Sequence, residues 1–233
     1  MRVFALVVIV LSLLSSAAFA GTKAKSKRVA LTTSAKPTEV VKKRDRSIGA
    51  PWSGRLQAPV QLKEGKRFHL RRPWRTYGTR TTVELVRQAI VDTLDDLPKA
   101  HILAVGDLSQ ESGGWISEHA SHQSGRDIDV GLFYKKQPKA YPKTFVHATK
   151  ATLDAAATFR LISNFAKTRN EDGGVQFIFL DQSLQNVVLE WAEKAGVSDT
   201  RIANVVAVIR HVPHHADHIH VRFKCRERDT SCR

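Results

Sequence analysis

Cysteine, acidic side chains and repeats are scarce in this sequence. It has two cysteines among 233 residues, and 22 Asp and Glu residues stand against 37 Lys and Arg residues. Two cysteines exclude a disulfide-dense scaffold and a zinc module built on four cysteines. No internal repeat is found, and the absence of an HExxH motif excludes that motif's glutamate as a base. Because 42% of the residues are hydrophobic, the chain can nevertheless bury a core.

Beyond the N-terminus, long hydrophobic runs are absent, so no later segment is predicted to cross a membrane. The first residues carry a positive charge at Arg2, an apolar run over Phe4–Leu14 and small residues at Ala18 and Ala20. This pattern predicts a secretory signal peptide over residues 1–20, with an uncleaved N-terminal anchor as the alternative. We therefore expect an exported protein, in a compartment where disulfides persist.

Residues 21–48 carry nine Lys and Arg residues against two acidic ones, with little apolar content. We predict a basic flexible tail, which either attracts the protein to an anionic envelope surface or serves only as a solvated linker. No aromatic residue interleaves the basic ones, so the tail lacks a stacking platform and nucleic acid is not an expected partner. The folded part is then a single domain over residues 49–233.

Along this domain, apolar residues recur in some segments at the three- and four-residue spacing of a helix and in others at the two-residue spacing of a strand. Helices are predicted over residues 82–97, 151–167, 182–195 and 200–210, and strands over 101–105, 127–133, 175–180 and 217–224. Asp181 is expected to cap the third helix. Because helices and strands follow in mixed order, we expect an α+β fold, with a small antiparallel or mixed central sheet flanked by helices.

Seven of the ten histidines fall in two short clusters. His122 and Asp129 can supply two metal ligands across a loop-to-strand turn that Gly125 permits, since zinc accepts imidazole nitrogen and carboxylate oxygen. His218 and His220 lie two residues apart on a predicted strand, so both face the same side. One of them can bind the metal while the other lies beside bound water. The central sheet is therefore expected to carry a metal site.

Charged residues near these histidines are further candidates. Arg126 and Arg222 can bind substrate carboxylates, although a surface role suits Arg222 equally well. Asp107, Asp127 and Asp217 can orient ligand histidines, as metal sites usually require. In a regular strand Asp217 would point away from the histidine that follows it, which counts against its role.

The two histidine clusters resemble motifs of the penicillin-insensitive murein endopeptidases, within a wider group of zinc peptidases that includes lysostaphin-type and D-Ala-D-Ala peptidases. The motifs read HASHQSGRDID over residues 119–129 and HADHIHVR over 215–222, after SIG at 47–49 and GDL at 106–108. The helices between them match only loosely. The family is periplasmic and cuts the peptide cross-links of peptidoglycan. The resemblance implies a zinc-dependent endopeptidase acting on peptidoglycan peptide stems at D-Ala–diaminopimelate bonds.

The same resemblance implies a ligand set for one zinc ion per chain. His122, Asp129 and His220 match the zinc ligands of the family. His119 matches an additional active-site histidine that can itself approach the metal. This set agrees with the number of ligands expected at a catalytic zinc site, where water takes the fourth position.

Further roles follow from the same motifs. His218 matches the histidine beside the metal that acts as a base or stabilises the oxyanion, and His215 matches another active-site histidine. Cys225 and Cys232 match a short disulfide loop after the final strand. Two cysteines in an exported chain are also expected to pair on chemical grounds.

Three other functions fit part of the pattern. A D-Ala-D-Ala carboxypeptidase would use the same site on uncrosslinked stems. A secreted metal-dependent nuclease would need basic residues around the site to bind phosphate. A non-catalytic envelope-binding protein would hold an inert metal, but a structural site would be closed by four ligands. We rank these below the endopeptidase.

Overall fold

A computed structural model describes residues 44–233. The predicted signal peptide and residues 21–43 of the predicted tail lie outside the described residues. The end of that predicted tail is instead part of the fold, because strand β1 (Arg46–Ala50) pairs antiparallel with strand β2 (Ser53–Gln57). The boundary expected at residue 49 therefore lies too late, since charge content does not reveal pairing with a later strand.

Eight further strands and four α-helices follow within this described part. The strands are β3 (Val60–Gln61), β4 (Phe68–Leu70), β5 (Tyr77–Gly78), β6 (Leu103–Val105), β7 (Asp127–Gly131), β8 (Val175–Leu180), β9 (Ile209–His211) and β10 (His218–Phe223). The helices are α1 (Arg80–Asp96), α2 (Ala155–Ala166), α3 (Gln182–Lys194) and α4 (Asp199–Val208). These elements confirm the predicted α+β class.

The central sheet has six strands in the order β4-β6-β7-β10-β8-β9 and is mixed. Strand β10 lies between β7 and β8 and is antiparallel to both, whereas β4–β6 and β8–β9 pair in parallel. Strand β9 was not predicted: a helix was expected over residues 200–210, but helix α4 ends at Val208, and Ile209 pairs with Ile178 of β8. No local pattern of apolar residues indicates this edge strand, which forms only by pairing with β8.

Side-chain caps mark where three of the described helices begin, and the caps of α2 and α3 bear on the predictions. Helix α2 starts at Ala155, later than predicted, because Asp154 accepts a hydrogen bond from the backbone N–H of Ala157 at 3.0 Å. Helix α3 is capped as predicted, with Asp181 accepting from the N–H of Ser183 at 2.9 Å. None of the described helices combines the length and apolar character needed to cross a bilayer.

Strand β10 separates the hydrophobic core from a polar sheet face. Ile219 and Phe223 are buried in the core, where the Phe223 ring meets Phe165 of α2 with centroids 6.4 Å apart. Because side chains alternate along a strand, His218 and His220 lie on the opposite face. The polar sheet face carries the histidines predicted to form the site.

A disulfide between Cys225 and Cys232 closes a short loop after β10, as predicted. This disulfide loop (residues 225–232) packs beside β1. The N–H of Gly49 donates to the carbonyl of Ser231 at 2.8 Å, and the N–H of Arg233 donates to the carbonyl of Gly49 at 3.0 Å. The first described strand is therefore held by the last described residues.

A buried ion-pair cluster reinforces this junction. The Arg226 side chain is 3% exposed and makes two hydrogen bonds to Asp229, at 2.8 and 3.0 Å. Its Nη1 also donates to Asp45, just before β1, at 2.6 Å. Burial opposes ionisation of Asp45, but hydrogen bonds from the Arg80 backbone N–H and from Arg226 hold its pKa below the ordinary value.

Candidate metal centre

Three side-chain atoms converge on the polar sheet face. His122 Nε2 lies 3.3 Å from both Asp129 Oδ1 and His220 Nδ1, and the latter two atoms are 3.2 Å apart. All three side chains are buried. Zinc bonds of about 2.0–2.1 Å at tetrahedral angles place ligand atoms about 3.3–3.4 Å apart. The triangle therefore fits one zinc ion.

Asp129 is the central member of this triangle. Its buried Oδ1 makes no hydrogen bond among the described residues, although imidazole nitrogens of His122, His218 and His220 lie 3.3, 3.5 and 3.2 Å away. An unpaired buried carboxylate oxygen is costly, and a bound cation removes that cost. Burial opposes ionisation of Asp129, but His122 and His218 hold its pKa well below the ordinary value.

His119 lies beside the triangle. Together with His122 and Asp129 it forms a group whose ligand atoms lie within 4.8 Å of one another and could hold a metal ion. Its Nδ1 is 3.7 Å from Asp129 Oδ2, and its Nε2 is 3.0 Å from Asp107 Oδ2. Burial raises the pKa of Asp107, but hydrogen bonds from His119 and Arg75 outweigh it and lower the pKa. Asp107 thus orients one edge of the His119 ring toward the metal centre.

His122 is held in an uncommon backbone conformation, with φ at +65°. Such a conformation costs about 1–3 kcal/mol in a non-glycine residue, so its surroundings must enforce it. Its N–H donates to Asp127 Oδ2 at 3.2 Å, and its Nδ1 lies 3.1 Å from the carbonyl of Leu108. Because Nδ1 is directed at a carbonyl acceptor, Nε2 is left for the metal.

Gly125 makes the turn between the loop and β7, as predicted. Its φ is +69°, and a Cβ there would lie 2.9 Å from the Leu56 side chain and 3.0 Å from the Cα of Gly78. Both the conformation and the close approach require glycine. After this turn, the antiparallel register places Asp129 directly opposite His220. Two ligands predicted from separate motifs are thereby brought together.

Asp127 of β7 contacts two residues of the neighbouring strand β10, Arg222 and His220. Its carboxylate accepts from Arg222 Nε at 2.8 Å and Nη2 at 3.1 Å, and His220 Nε2 lies 3.3 Å from Oδ1. Burial opposes ionisation of Asp127, but His220 and Arg222 hold its pKa well below the ordinary value. Burial also lowers the pKa of His220, yet Asp127 and Asp129 more than offset this and raise it to about 9.

His218 stands at the open side of the triangle. Its Nδ1 lies 2.6 Å from Asp217 Oδ1, and its ring stacks on Phe145 with centroids 5.0 Å apart. The expectation that Asp217 points away from His218 is wrong, because β10 begins only at His218 and strand alternation does not apply before it. Asp217 and Phe145 together fix the ring, with Nε2 facing Asp129 at 3.5 Å.

His215 packs against His218, with ring centroids 5.0 Å apart. Its Nδ1 lies 2.9 Å from the carbonyl of Pro213. Burial lowers the pKa of His215, which favours its neutral form at neutral pH.

The candidate metal centre opens into a cleft of about 460 Å³. The lining residues come from the β1–β2 turn, both histidine clusters and the central sheet: Trp52, Glu118, His119, Ala120, Ser121, His122, Phe179, Val212, His214, His215, His218, His220 and Arg222. This volume falls in the range of small-ligand sites.

The two arginines predicted to bind substrate lie in different environments in the structure. Arg222 lines the cleft. Arg126 is 3% exposed and donates to Ser47 Oγ and to the carbonyls of Phe223 and Arg233. The expectation that Arg126 binds substrate is therefore wrong. Its buried guanidinium instead donates hydrogen bonds that connect β1, β10 and Arg233.

Several residues around the site were not predicted from the sequence. Trp52 lines the cleft, Phe179 closes it beneath Arg222, and Phe145 stacks on His218. Pro51 and the flanking Gly49 and Gly54 indicate a tight turn at Trp52, and this was a signal that the Trp52 side chain is exposed. Phe145 lies in a loop without any periodic pattern, so nothing in the sequence marked it.

Three candidate ligands with one open side match the arrangement of catalytic zinc sites, so the fold and the site are those expected of a metal-dependent hydrolase. The chain belongs to the penicillin-insensitive murein endopeptidase family, whose sequence model matches residues 47–233. It is also 29% identical over 136 residues to the penicillin-insensitive murein endopeptidase of Yersinia enterocolitica. That alignment covers 55% of this chain and 47% of the relative, so the match spans about half of the relative's length.

Proposed function

We propose that the protein is a zinc-dependent endopeptidase that hydrolyses the peptide cross-links of peptidoglycan, at D-Ala–diaminopimelate bonds. One observation carries the proposal: the His122–Asp129–His220 triangle has tetrahedral spacing and opens into a cleft, with His218 at its open side. Membership of the family supports the choice of substrate. The disulfide supports a periplasmic location, which the predicted signal peptide also favours.

Zinc bound by His122, Asp129 and His220 would supply a Lewis acid that polarises the scissile carbonyl and lowers the pKa of water toward about 7. The chain's own part in the reaction is proton transfer. With Nδ1 of His218 donating to Asp217, Nε2 carries the lone pair and accepts a proton from the attacking water. The same Nε2 then returns that proton to the leaving amine.

Arg222 is the substrate-binding residue in this proposal. Asp127 engages its Nε and Nη2 atoms, leaving Nη1 without a hydrogen bond among the described residues. A guanidinium held rigidly along one edge can bind a carboxylate at the other. The diaminopimelate residue of a cross-link keeps a free carboxylate beside the scissile amide, and Arg222 would recognise it.

Purified peptidoglycan digested with the mature protein, with and without chelator, provides the test. Mass spectrometry should show cross-linked dimers converted to monomers only when metal is present. His220→Ala should abolish metal retention and activity together, whereas His218→Ala should lose activity and keep its metal. His69→Ala, on β4 outside the cleft, is the matched control and should leave both unchanged. Persistence of dimers with a metal-loaded protein would refute the proposal.

The alternatives use the same centre on other substrates. A D-Ala-D-Ala carboxypeptidase would shorten monomeric muropeptides and leave dimers intact, so the same digest separates the two. A nuclease fits the cleft poorly, because Arg222 is the one Lys or Arg residue among its described lining, and a nucleic acid presents several phosphates to be neutralised. The basic segment over residues 21–48 is proposed to hold the enzyme near the anionic envelope, which salt-dependent binding to intact sacculi would test.

A further inference from the structure

Trp52 is an exposed aromatic residue at the edge of the metal centre. It lines the cleft together with His119, His122 and Arg222, and 61% of it is exposed. An indole has a large apolar face that gains free energy when it is covered, and such residues dominate many binding sites. The two other most exposed large aromatic residues, Trp74 and Trp115, are 65% and 70% exposed and do not line this cleft.

The backbone around Trp52 is tightly held. Residues Pro51 and Trp52 form the two-residue turn between Ala50 and Ser53, which pair across β1 and β2. The carbonyl of Pro51 accepts from the N–H of Gln123 at 3.0 Å, and Gln123 follows the ligand His122 directly. The turn that carries Trp52 is therefore fixed to the loop that carries a metal ligand.

Close contact between the two backbones reinforces this connection. A Cβ on Gly54 would lie 2.7 Å from the Ser124 side chain and 2.5 Å from the Ala50 carbonyl. The N–H of Gly114 donates to the Gly54 carbonyl at 3.1 Å. Trp52 therefore presents its ring from a rigid support, which reduces the entropy lost when a ligand binds.

Arg222 lies next to this ring. Its guanidinium carbon is 5.9 Å from the Trp52 ring centroid and 5.4 Å from the Phe179 ring centroid. Asp127 fixes the same guanidinium from a third side. An apolar ring and an immobile cation thus stand side by side at the cleft, and together they match a ligand that has an aliphatic or peptide surface adjoining a carboxylate.

We propose that Trp52 determines specificity by packing against the acyl-acceptor residue of the cross-link, whose carboxylate Arg222 holds beside it. This inference rests on the proposed endopeptidase function and adds a residue to it. The substrate class is then a branched peptide whose leaving amine belongs to a diamino acid with a free carboxylate and a methylene chain. The indole covers that chain, while Arg222 neutralises the carboxylate.

Steady-state kinetics on purified dimeric muropeptide tests this role. Trp52→Ala should raise KM about tenfold and leave kcat within about twofold, because stacking contributes to substrate binding but not to proton transfer. Trp52→Phe should restore most of the affinity. Trp74→Ala and Trp115→Ala, which remove equally exposed rings outside the cleft, should leave KM unchanged. An unchanged KM in Trp52→Ala, or an equal effect in the three alanine variants, would overturn the proposal.

Equilibrium binding separates this inference from the proposed function. Calorimetric titration of dimeric muropeptide into His218→Ala and into the His218→Ala/Trp52→Ala double variant measures affinity without turnover. An affinity about tenfold weaker in the double variant supports the role of Trp52. Equal affinities refute it, even if wild-type protein cleaves the dimer. A wild-type protein that binds the dimer without cleaving it refutes the endopeptidase function, while the affinity ratio still decides the role of Trp52.

Discussion

Replacing Arg226 by Met should destabilise the protein strongly. The Arg226 side chain is 3% exposed and its guanidinium pairs with Asp229 and Asp45, so its loss leaves the buried Asp229 carboxylate without an ion-pair partner. Breaking a buried ion pair from one side costs about 3–5 kcal/mol. For a chain of this size that corresponds to a fall in Tm of about 6–20 °C, at about 2–4 °C per kcal/mol.

Arg228→Met is the matched control, because Arg228 also pairs with Asp45, at 3.2 Å, but is 49% exposed. An exposed pair contributes about 0–1 kcal/mol, so this variant should melt close to wild type. Calorimetry on the zinc-loaded proteins provides the measurement. Adding Asp229→Leu to Arg226→Met should recover part of the loss, since it removes the unpaired carboxylate. Equal melting temperatures for the two arginine variants would refute the reasoning.

Three further predictions concern pH, ring packing and metal. The pKa of Asp45 is lower in the folded than in the unfolded protein, so its ionised form stabilises the fold above about pH 4 and this stability is lost as pH falls through the folded pKa. Urea unfolding should therefore show an advantage of wild type over Asp45→Asn at pH 7 that shrinks as the pH falls below about 4, and a constant difference would contradict it. Phe145→Ala should lower kcat about tenfold with zinc content and KM little changed, because the His218 ring loses its stacking partner; a selective rise in KM in steady-state assays would argue against this. Chelation should lower Tm by about 8–16 °C if zinc is present at about a thousand times its Kd, and His220→Ala should show no such response in the same melting experiment.

Local signals predicted much of the fold. The bounds of β8 agree with the prediction, and Asp181 caps α3 as expected, because strand length and helix capping depend on neighbouring residues. Alternation along β10 also placed His218 and His220 on one face. Strand β9 was not predicted, since it exists only through pairing with β8, about thirty residues earlier in the sequence. Strand β1 was not predicted either, because the basic charge of residues 21–48 indicated a tail although β2 follows directly after a two-residue turn.

In the candidate site, too, features that depend on neighbouring residues were predicted, whereas features that depend on residues far away along the chain were not. The two histidine motifs predicted residues that the structure brings together, because their spacing reflects the strands that carry them. The burial of Arg126 depends on β1 and Arg233, which are far away along the chain. The final strand was predicted to begin at Asp217, one residue before the observed start of β10 at His218, and the direction of the Asp217 side chain was therefore predicted wrongly. Phe145 reaches His218 through a loop whose path only the folded chain defines.

The position of the metal ligands along the chain has a consequence for how the protein is made. His122 and His220 are 98 residues apart, and β1 is held by the disulfide loop that follows the second histidine motif. A polypeptide synthesised from its N-terminus therefore lacks a complete candidate metal site, and the last contacts of β1, until nearly all described residues have emerged. The His122–Asp129–His220 triangle would therefore assemble late in synthesis, only after both histidine motifs have emerged.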